Sequence, residues 1–290
     1  MKTFRKKARI LPLLLFGAFL FSCAAQRRAS FEPLLSQSRQ YFEAGEFQKT
    51  IDSYSKALKK YPDEKAIPQG YIRTLEEMKQ QADKALEKED FTSAESVYSI
   101  LLKNYPRFKP LEKSLSFTPR LLSQQIKSCR LGLSKGLAQQ SVQAGDFEKA
   151  LNLYKGMAEE YNNDADLSAD LTKTMEDIKR LADEAEGKED FVLAGKAYSA
   201  LSANYSFYEK LVPSSSFSKA SLEEGLKKCR IQLTQKGLEQ YRKGNLAEAI
   251  AVWQGILLFD PDNIEIKKAI DTATEQLKKL QKKREGIAPE

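Results

Sequence analysis

Two kinds of apolar pattern run along this chain, and they predict different things. Ile10 to Phe21 is an unbroken apolar run of twelve residues behind a basic start, Lys2, Arg5, Lys6, Lys7 and Arg9. It is too short to cross a bilayer as a helix. A positive start, a short apolar stretch and a small residue before a cut are the marks of an export signal. Beyond it the apolar residues recur at helical steps broken by short turns, which predicts an all-α chain.

The turns set the organisation. Phe47, Phe91, Phe147, Phe191 and Leu246 each follow a turn, and their separations are 44, 56, 44 and 55 residues. The alternation implies a parent unit of two helical hairpins. Comparison across one hundred positions supports it: Lys88-Glu89-Asp90-Phe91 recurs as Lys188-Glu189-Asp190-Phe191, Asn104-Tyr105 as Asn204-Tyr205, Ser116-Phe117 as Ser216-Phe217, and Cys129-Arg130 as Cys229-Arg230. The chain is an internal duplication, with the fifth hairpin beginning a third unit.

The clearest hairpin carries Gly237, Tyr241, Gly244-Asn245-Leu246, Ala249-Ile250, Trp253, Ile256-Leu257 and Asp260-Pro261. In register these residues resemble the tetratricopeptide repeat: a small residue in the first helix, a turn glycine, an alanine and an aromatic on the second helix, and a closing proline. Tyr41, Gly45, Phe47, Tyr54 and Tyr61-Pro62 give an earlier copy, and Ala82, Phe91, Ala94, Tyr98 and Tyr105-Pro106 another. Ala138, Gly145, Phe147, Ala150, Tyr154 and Tyr161 follow, then Ala182, Phe191, Ala194, Tyr198 and Tyr205. Two copies place Glu89 and Glu189 where the family has its turn glycine. The resemblance implies a right-handed α-solenoid of about five hairpins, near 31–64, 68–108, 118–164, 166–208 and 218–263.

The family period is about 34 residues, so each connection holds extra chain. The expectation is that it lengthens the first helices to about 25 residues, starting at Thr118-Pro119 and at a capping box on Ser221-Leu222-Glu223-Glu224. Pro110 to Ser116 and Val212 to Ser216 are then the loops, either contact surfaces or tolerated insertions. Residues 264–290 form a capping helix and tail: Ile266, Ile270, Ala273, Leu277 and Leu280 share one face, and a terminal cap needs a polar opposite face. Lys278, Lys279, Lys282, Lys283 and Arg284 read as a solvated face that suits a helix C-terminus, or as a contact for acidic lipid heads.

The export signal ends in Leu20-Phe21-Ser22-Cys23, which resembles the lipobox of bacterial lipoproteins. That resemblance implies a signal peptide over 1–22, cleavage before Cys23, acyl chains on Cys23, and a lipidated tether over 23–30. Two or three chains hold a protein firmly where one does so only marginally. Ala24, in place of the Asp that retains enteric-type lipoproteins at the inner membrane, points to the outer membrane, facing the periplasm. The five signal cations account for most of the formal net charge of +7 and leave +2 for the rest. A nearly balanced chain has no electrostatic footprint for nucleic acid.

The chain has no histidine. That removes imidazole bases, Ser-His-Asp and Cys-His nucleophiles and most zinc sites. Three cysteines, one of them assigned to lipid, cannot make a thiolate metal site, so no metal, no cofactor and no enzymatic activity are expected. Cys129 and Cys229 read as buried small side chains, a disulfide between equivalent sites of separate units being the alternative.

The aromatic stripe Phe47, Tyr54, Phe91, Tyr98, Phe147, Tyr154, Phe191, Tyr198 and Trp253 reads as interhelical core. By the resemblance, first-helix positions just before each turn line a peptide-binding groove. Carried over, these are Leu35, Arg39 and Phe42 in the first hairpin and Leu238, Tyr241 and Arg242 in the fifth, as peptide anchors or as residues packed against lengthened neighbours. The function implied is a membrane-anchored scaffold or adaptor for envelope proteins or peptides in an assembly or secretion system. A self-associating structural lipoprotein and a carrier of a small or lipidic ligand are the alternatives.

Overall fold

The computed structural model describes residues 31–161, 165–211, 216–284 and 286, and every regular element among them is helical. The calls on the signal peptide, Cys23 and the tether lie outside these residues. In chain order the helices are α1 (31–43), α2 (Phe47–Lys60), α3 (Ala66–Glu87), α4 (Phe91–Phe108), α5 (Pro119–Gln143), α6 (Phe147–Glu160), α7 (Ala165–Gly187), α8 (Phe191–Leu211), α9 (Lys219–Arg242), α10 (Leu246–Leu257) and α11 (Ile264–Arg284). Packing joins sequence neighbours, α3 with α4, α7 with α8, α9 with α10 and α10 with α11, and next-but-one helices such as α6 with α8. The chain divides into two compact units, one to Leu133 and one from Ser134, and the division falls within α5.

Five turns, after α1, α3, α5, α7 and α9, reverse the chain by the same device. An α-helix ends with unpaired carbonyls, and one left-handed residue lets its own N–H and that of the residue after it fold back onto them. In the first turn Gly45 has φ +72°, its N–H donates to Phe42 O at 3.0 Å, and the Glu46 N–H donates to Tyr41 O at 2.8 Å. The same pair of bonds closes the turns at Glu89, Gly145, Glu189 and Gly244, with the longer-range bond between 2.8 and 3.0 Å. Glu89 and Glu189 hold φ of 59° and 61°, a region that costs a residue with a Cβ roughly 1–2 kcal/mol. The following residue starts the next helix: Asp90 and Asp190 each accept an N–H, from Ser93 and Leu193, at 3.1 Å.

The duplication extends to side-chain hydrogen bonds. Tyr54 meets Thr74 Oγ1 at 3.1 Å, as Tyr154 meets Thr174. The Tyr98 hydroxyl donates to Asp83 at 2.7 Å and Tyr198 to Asp183 at 2.7 Å. Of the aromatic stripe, Tyr54, Tyr98, Phe147, Tyr154, Tyr198 and Trp253 are buried, and Phe47, Phe91 and Phe191 are half-buried. Trp253 lies where a Cβ on Gly237 would overlap its indole, so the small residue of the first helix is a seat for the large one of the second. Cys129 and Cys229 are free and buried.

Helix lengths depart from expectation in one respect. The first helices α3, α5, α7 and α9 span 22, 25, 23 and 24 residues, but α4 and α8 are also long, 18 and 21 residues against 14, 14 and 12 for α2, α6 and α10. The extra chain is shared between both helices of the second and fourth hairpins. Pro106 does not close α4 but lies inside it. In a last turn it forfeits one backbone bond, whereas an interior proline costs about 3 kcal/mol. Continuing the helix buries Phe108 completely against the rings of Tyr71, Tyr105 and Phe117, worth about 2–3 kcal/mol.

Nor is Pro110–Ser116 a free loop. Lys109–Ser114 forms a 3-10 turn, Leu111 and Leu115 pack on the core, and the Ser116 N–H donates to Glu76 at 2.6 Å. The corresponding 212–215 lies outside the described residues. Helix α9 begins three residues before the expected box: Ser218 is its N-cap, and the reciprocal partner is Ser221. Thr118 caps α5 as expected, its Oγ1 accepting from the Leu121 N–H at 3.2 Å.

Replacing Glu89 or Glu189 by glycine relieves the left-handed strain. Each is expected to raise stability by about 1 kcal/mol in urea denaturation, whereas Gly45→Ala, which introduces the same strain, lowers it by a similar amount.

Candidate functional site

The position six residues before each left-handed residue is held by the helix end, so the turn geometry aligns it from hairpin to hairpin. It carries Arg39, Asp83, Gln139, Asp183 and Leu238. The backbone is the same and the side chains are all different in chemistry except for the two aspartates. In the unit to Leu133, Arg39 is exposed and pairs with Glu43 at 2.9 Å and with Glu77 on α3. Its guanidinium also lies 4.9 Å from the centre of the Phe42 ring. The hydrogen bonds to Glu43 and then Glu77 raise its already high pKa, so it is a permanent cation. Asp83 belongs to a polar depression of about 380 Å³ lined by Arg73, Glu76, Glu77, Lys79 and Gln80 of α3 and by Ser116.

In the unit from Ser134, Gln139 belongs to a depression of about 240 Å³ with Lys135, Asp170, Lys173 and Asp177. Lys135 and Asp170 form an ion pair there. On α9, Leu238 is 39 % exposed and Ile231, two turns earlier on the same side, 43 %. Arg242 is exposed, and Tyr241 is half-buried with its ring 5.9 Å from that of Trp253.

The six residues singled out by sequence therefore divide. Arg39, Leu238 and Arg242 are accessible. Leu35 is partly buried and packs on the core of its unit. The expectation of an exposed anchor fails for Phe42, which is 6 % exposed. The reason lies in the turn: Phe42 supplies the carbonyl that accepts from the left-handed residue, which sets its ring 6.0 Å from that of Phe47 at the start of α2. Tyr241 occupies the same place in the fifth hairpin and is drawn onto Trp253 in the same way. These two residues staple their hairpins.

Sequence reasoning did not find a cleft of about 780 Å³ along α6 and α8 and the turn after α10. Apolar Phe147, Leu153, Ala203 and Leu258 line it, with Lys149 and Lys196. Its floor is Phe259, which sits where a Cβ on Gly195 would come within 2.5 Å of its ring, while the Ser199 hydroxyl donates to Phe259 O at 3.0 Å. The signal was Gly195 in the second turn of α8: a glycine inside a helix is costly unless something large approaches it.

Titration chemistry is muted. Burial, and then the bond to Asp83, hold the Tyr98 hydroxyl well above its ordinary pKa; burial with Asp183 and Glu186 does the same to Tyr198. Burial pushes the Cys229 thiol up to about 11. Such groups stay protonated at neutral pH and are poor bases or nucleophiles. Among the described residues no group of His, Cys, Asp and Glu is placed to hold a metal ion, and no helix is long and apolar enough to cross a membrane. Compared with known proteins, the chain matches no family model and no curated sequence.

The division of the six residues is testable by stability. Phe42→Ala is expected to cost about 3–5 kcal/mol in urea denaturation, while Leu238→Ala and Arg242→Ala stay within about 0.5 kcal/mol.

Proposed function

We propose that this chain is a lipid-anchored scaffold of the tetratricopeptide type, a right-handed solenoid that holds proteins or peptides of a bacterial envelope assembly or secretion system. The observation that carries the proposal is the repeated turn. One backbone geometry offers the same first-helix position five times with a cation, two carboxylates, an amide and an apolar side chain. Within each unit such positions can read a partner by side-chain pattern and need no enclosed pocket. The polar depressions around Asp83 and Gln139 suit that use, because they are open, mixed in charge and built on helices fixed at their ends.

The tether comes from the sequence: an export signal ending at Cys23, whose acylation would place the repeats at a membrane surface, with Ala24 favouring the outer membrane. The lack of histidine and the protonated, buried tyrosines and thiols give the reading a binding rather than a chemical character. Cys23→Ser is expected to release the protein from the membrane fraction and leave unprocessed precursor. Crosslinking in intact envelopes is expected to recover a stoichiometric partner protein, and charge reversal at Arg39 or Arg242 to reduce that recovery. Recovery of the chain alone, or membrane attachment unchanged by Cys23→Ser, would sink the proposal.

A further inference from the structure

Helix α11 is amphipathic along its whole length but is packed along only part of it. Its partner α10 has 12 residues and α11 has 21, so the antiparallel pair leaves a segment of about 13 Å at the C-terminal end of α11 with no α10 opposite it. The apolar stripe does not stop where the partner does. Ile266 and Ala273 are buried, Leu277 is half-buried and Leu280, next on the same face, is 50 % exposed.

The charge changes at the same point. From Ile264 to Glu275 three acids stand against two lysines; from Gln276 to Glu290 there are five cations against Glu285 and Glu290. Lys278, Lys279, Lys282 and Lys283 are exposed and make no ion pair among the described residues. At 100° per residue Lys278 and Lys283 border the Leu277 and Leu280 face on its two sides, and Lys279 and Lys282 lie on the opposite, polar face. Elsewhere exposed lysines of this chain are commonly paired at i,i+4, as Lys179 is with Asp183 and Lys243 with Glu239. Here, among the described residues, the lysines beside a half-buried and an exposed leucine form no ion pair.

We propose that the last two turns of α11 bind the surface of an anionic phospholipid bilayer, with Leu277 and Leu280 entering the headgroup boundary and the bordering Lys278 and Lys283 contacting lipid phosphates. An apolar face flanked by lysines is the arrangement that lies in a membrane interface, and phosphates supply the charge that this face lacks. A protein partner would have to bring an acidic helix of matching length. The contact is independent of Cys23: it joins protein to lipid at the far end of the folded chain and holds whether or not the amino-terminal anchor is read correctly.

The test uses the chain from Ala24 to Glu290, which keeps every described residue and carries no lipid. Sedimentation with phosphatidylcholine vesicles containing a minority of phosphatidylglycerol is expected to capture it at low salt, less so as salt rises, and pure phosphatidylcholine vesicles to leave it in solution. Each lysine near such a surface is worth about fivefold in binding, so K278Q/K283Q is expected to weaken capture about 25-fold. Leu280→Gln weakens it too, and K267Q/K268Q, on the packed half of the same helix, leaves it within about twofold.

Helicity should be unchanged throughout, since every substituted side chain is exposed. Four outcomes would each overturn the proposal: absence of capture at low salt, equal capture by neutral vesicles, equal losses from the two lysine sets, or a dimer that Leu280→Gln dissociates without any vesicle binding.

Discussion

The fold rests on closing a helix end within three residues. Two antiparallel helices can pack side by side only if the chain reverses at once, and reversal leaves carbonyls of the first helix without partners. A single left-handed residue solves both problems, turning the chain and aiming two N–H groups back at the helix just finished. The rest follows from that geometry. The next residue becomes the start of the second helix, and the apolar residue after it (Phe47, Phe91, Phe147, Phe191 or Leu246) is delivered to the same place each time. Trp253, Tyr98 and Tyr198 then meet the first helix of their hairpin, at Gly237, Asp83 and Asp183, while Tyr54 and Tyr154 reach threonines on the helix that follows.

This explains what could be read from sequence and what could not. Turn positions were legible because a glycine or its substitute beside Asp, Asn or Glu punctuates a helical pattern in an unmistakable way, and the register of the core aromatics followed from the turns. Helix lengths were less so. Pro106 reads locally as a stop, yet the burial of Phe108 two residues later outweighs one lost backbone bond, and that gain exists only once Tyr71 and Phe117 are in place. The cap at Ser218 was missed for a similar reason: Ser218 and Ser221 are both plausible caps, and the choice depends on where Phe217 is buried. For the candidate groove residues, the register aligned equivalent first-helix positions. It could not separate residues that face outward from those recruited by the turn, so Phe42 and Tyr241 were grouped with Arg39 and Leu238. The cleft floored by Phe259 joins residues about sixty positions apart, and only the unexplained Gly195 hinted at it.

The exposed surface is fastened by contacts that are easily exchanged. Arg39 with Glu77, Lys135 with Asp170 and Arg130 with Glu95 are solvent-facing pairs between different helices, and such pairs contribute between nothing and about 1 kcal/mol each. A partner with suitable charges can replace either member at little cost, while the helices beneath stay fixed by aromatic packing. Rigidity and adaptability are thus separated by depth, backbone positions being held from within and the outward side chains left free to re-pair.

The strained turns record an order of events. Glycine stands at the first turn of each hundred-residue unit, Gly45 and Gly145, and glutamate at the second, Glu89 and Glu189, while Gly244 opens a third unit in the expected way. The two glutamates sit within identical Lys-Glu-Asp-Phe stretches and share nearly the same backbone angle. An unfavourable residue acquired twice independently in the same context is a poor explanation when one acquisition copied by duplication suffices. The glutamate at this turn therefore predates the duplication, and the ancestral double hairpin was already asymmetric, with one relaxed and one strained reversal, before the longer chain existed.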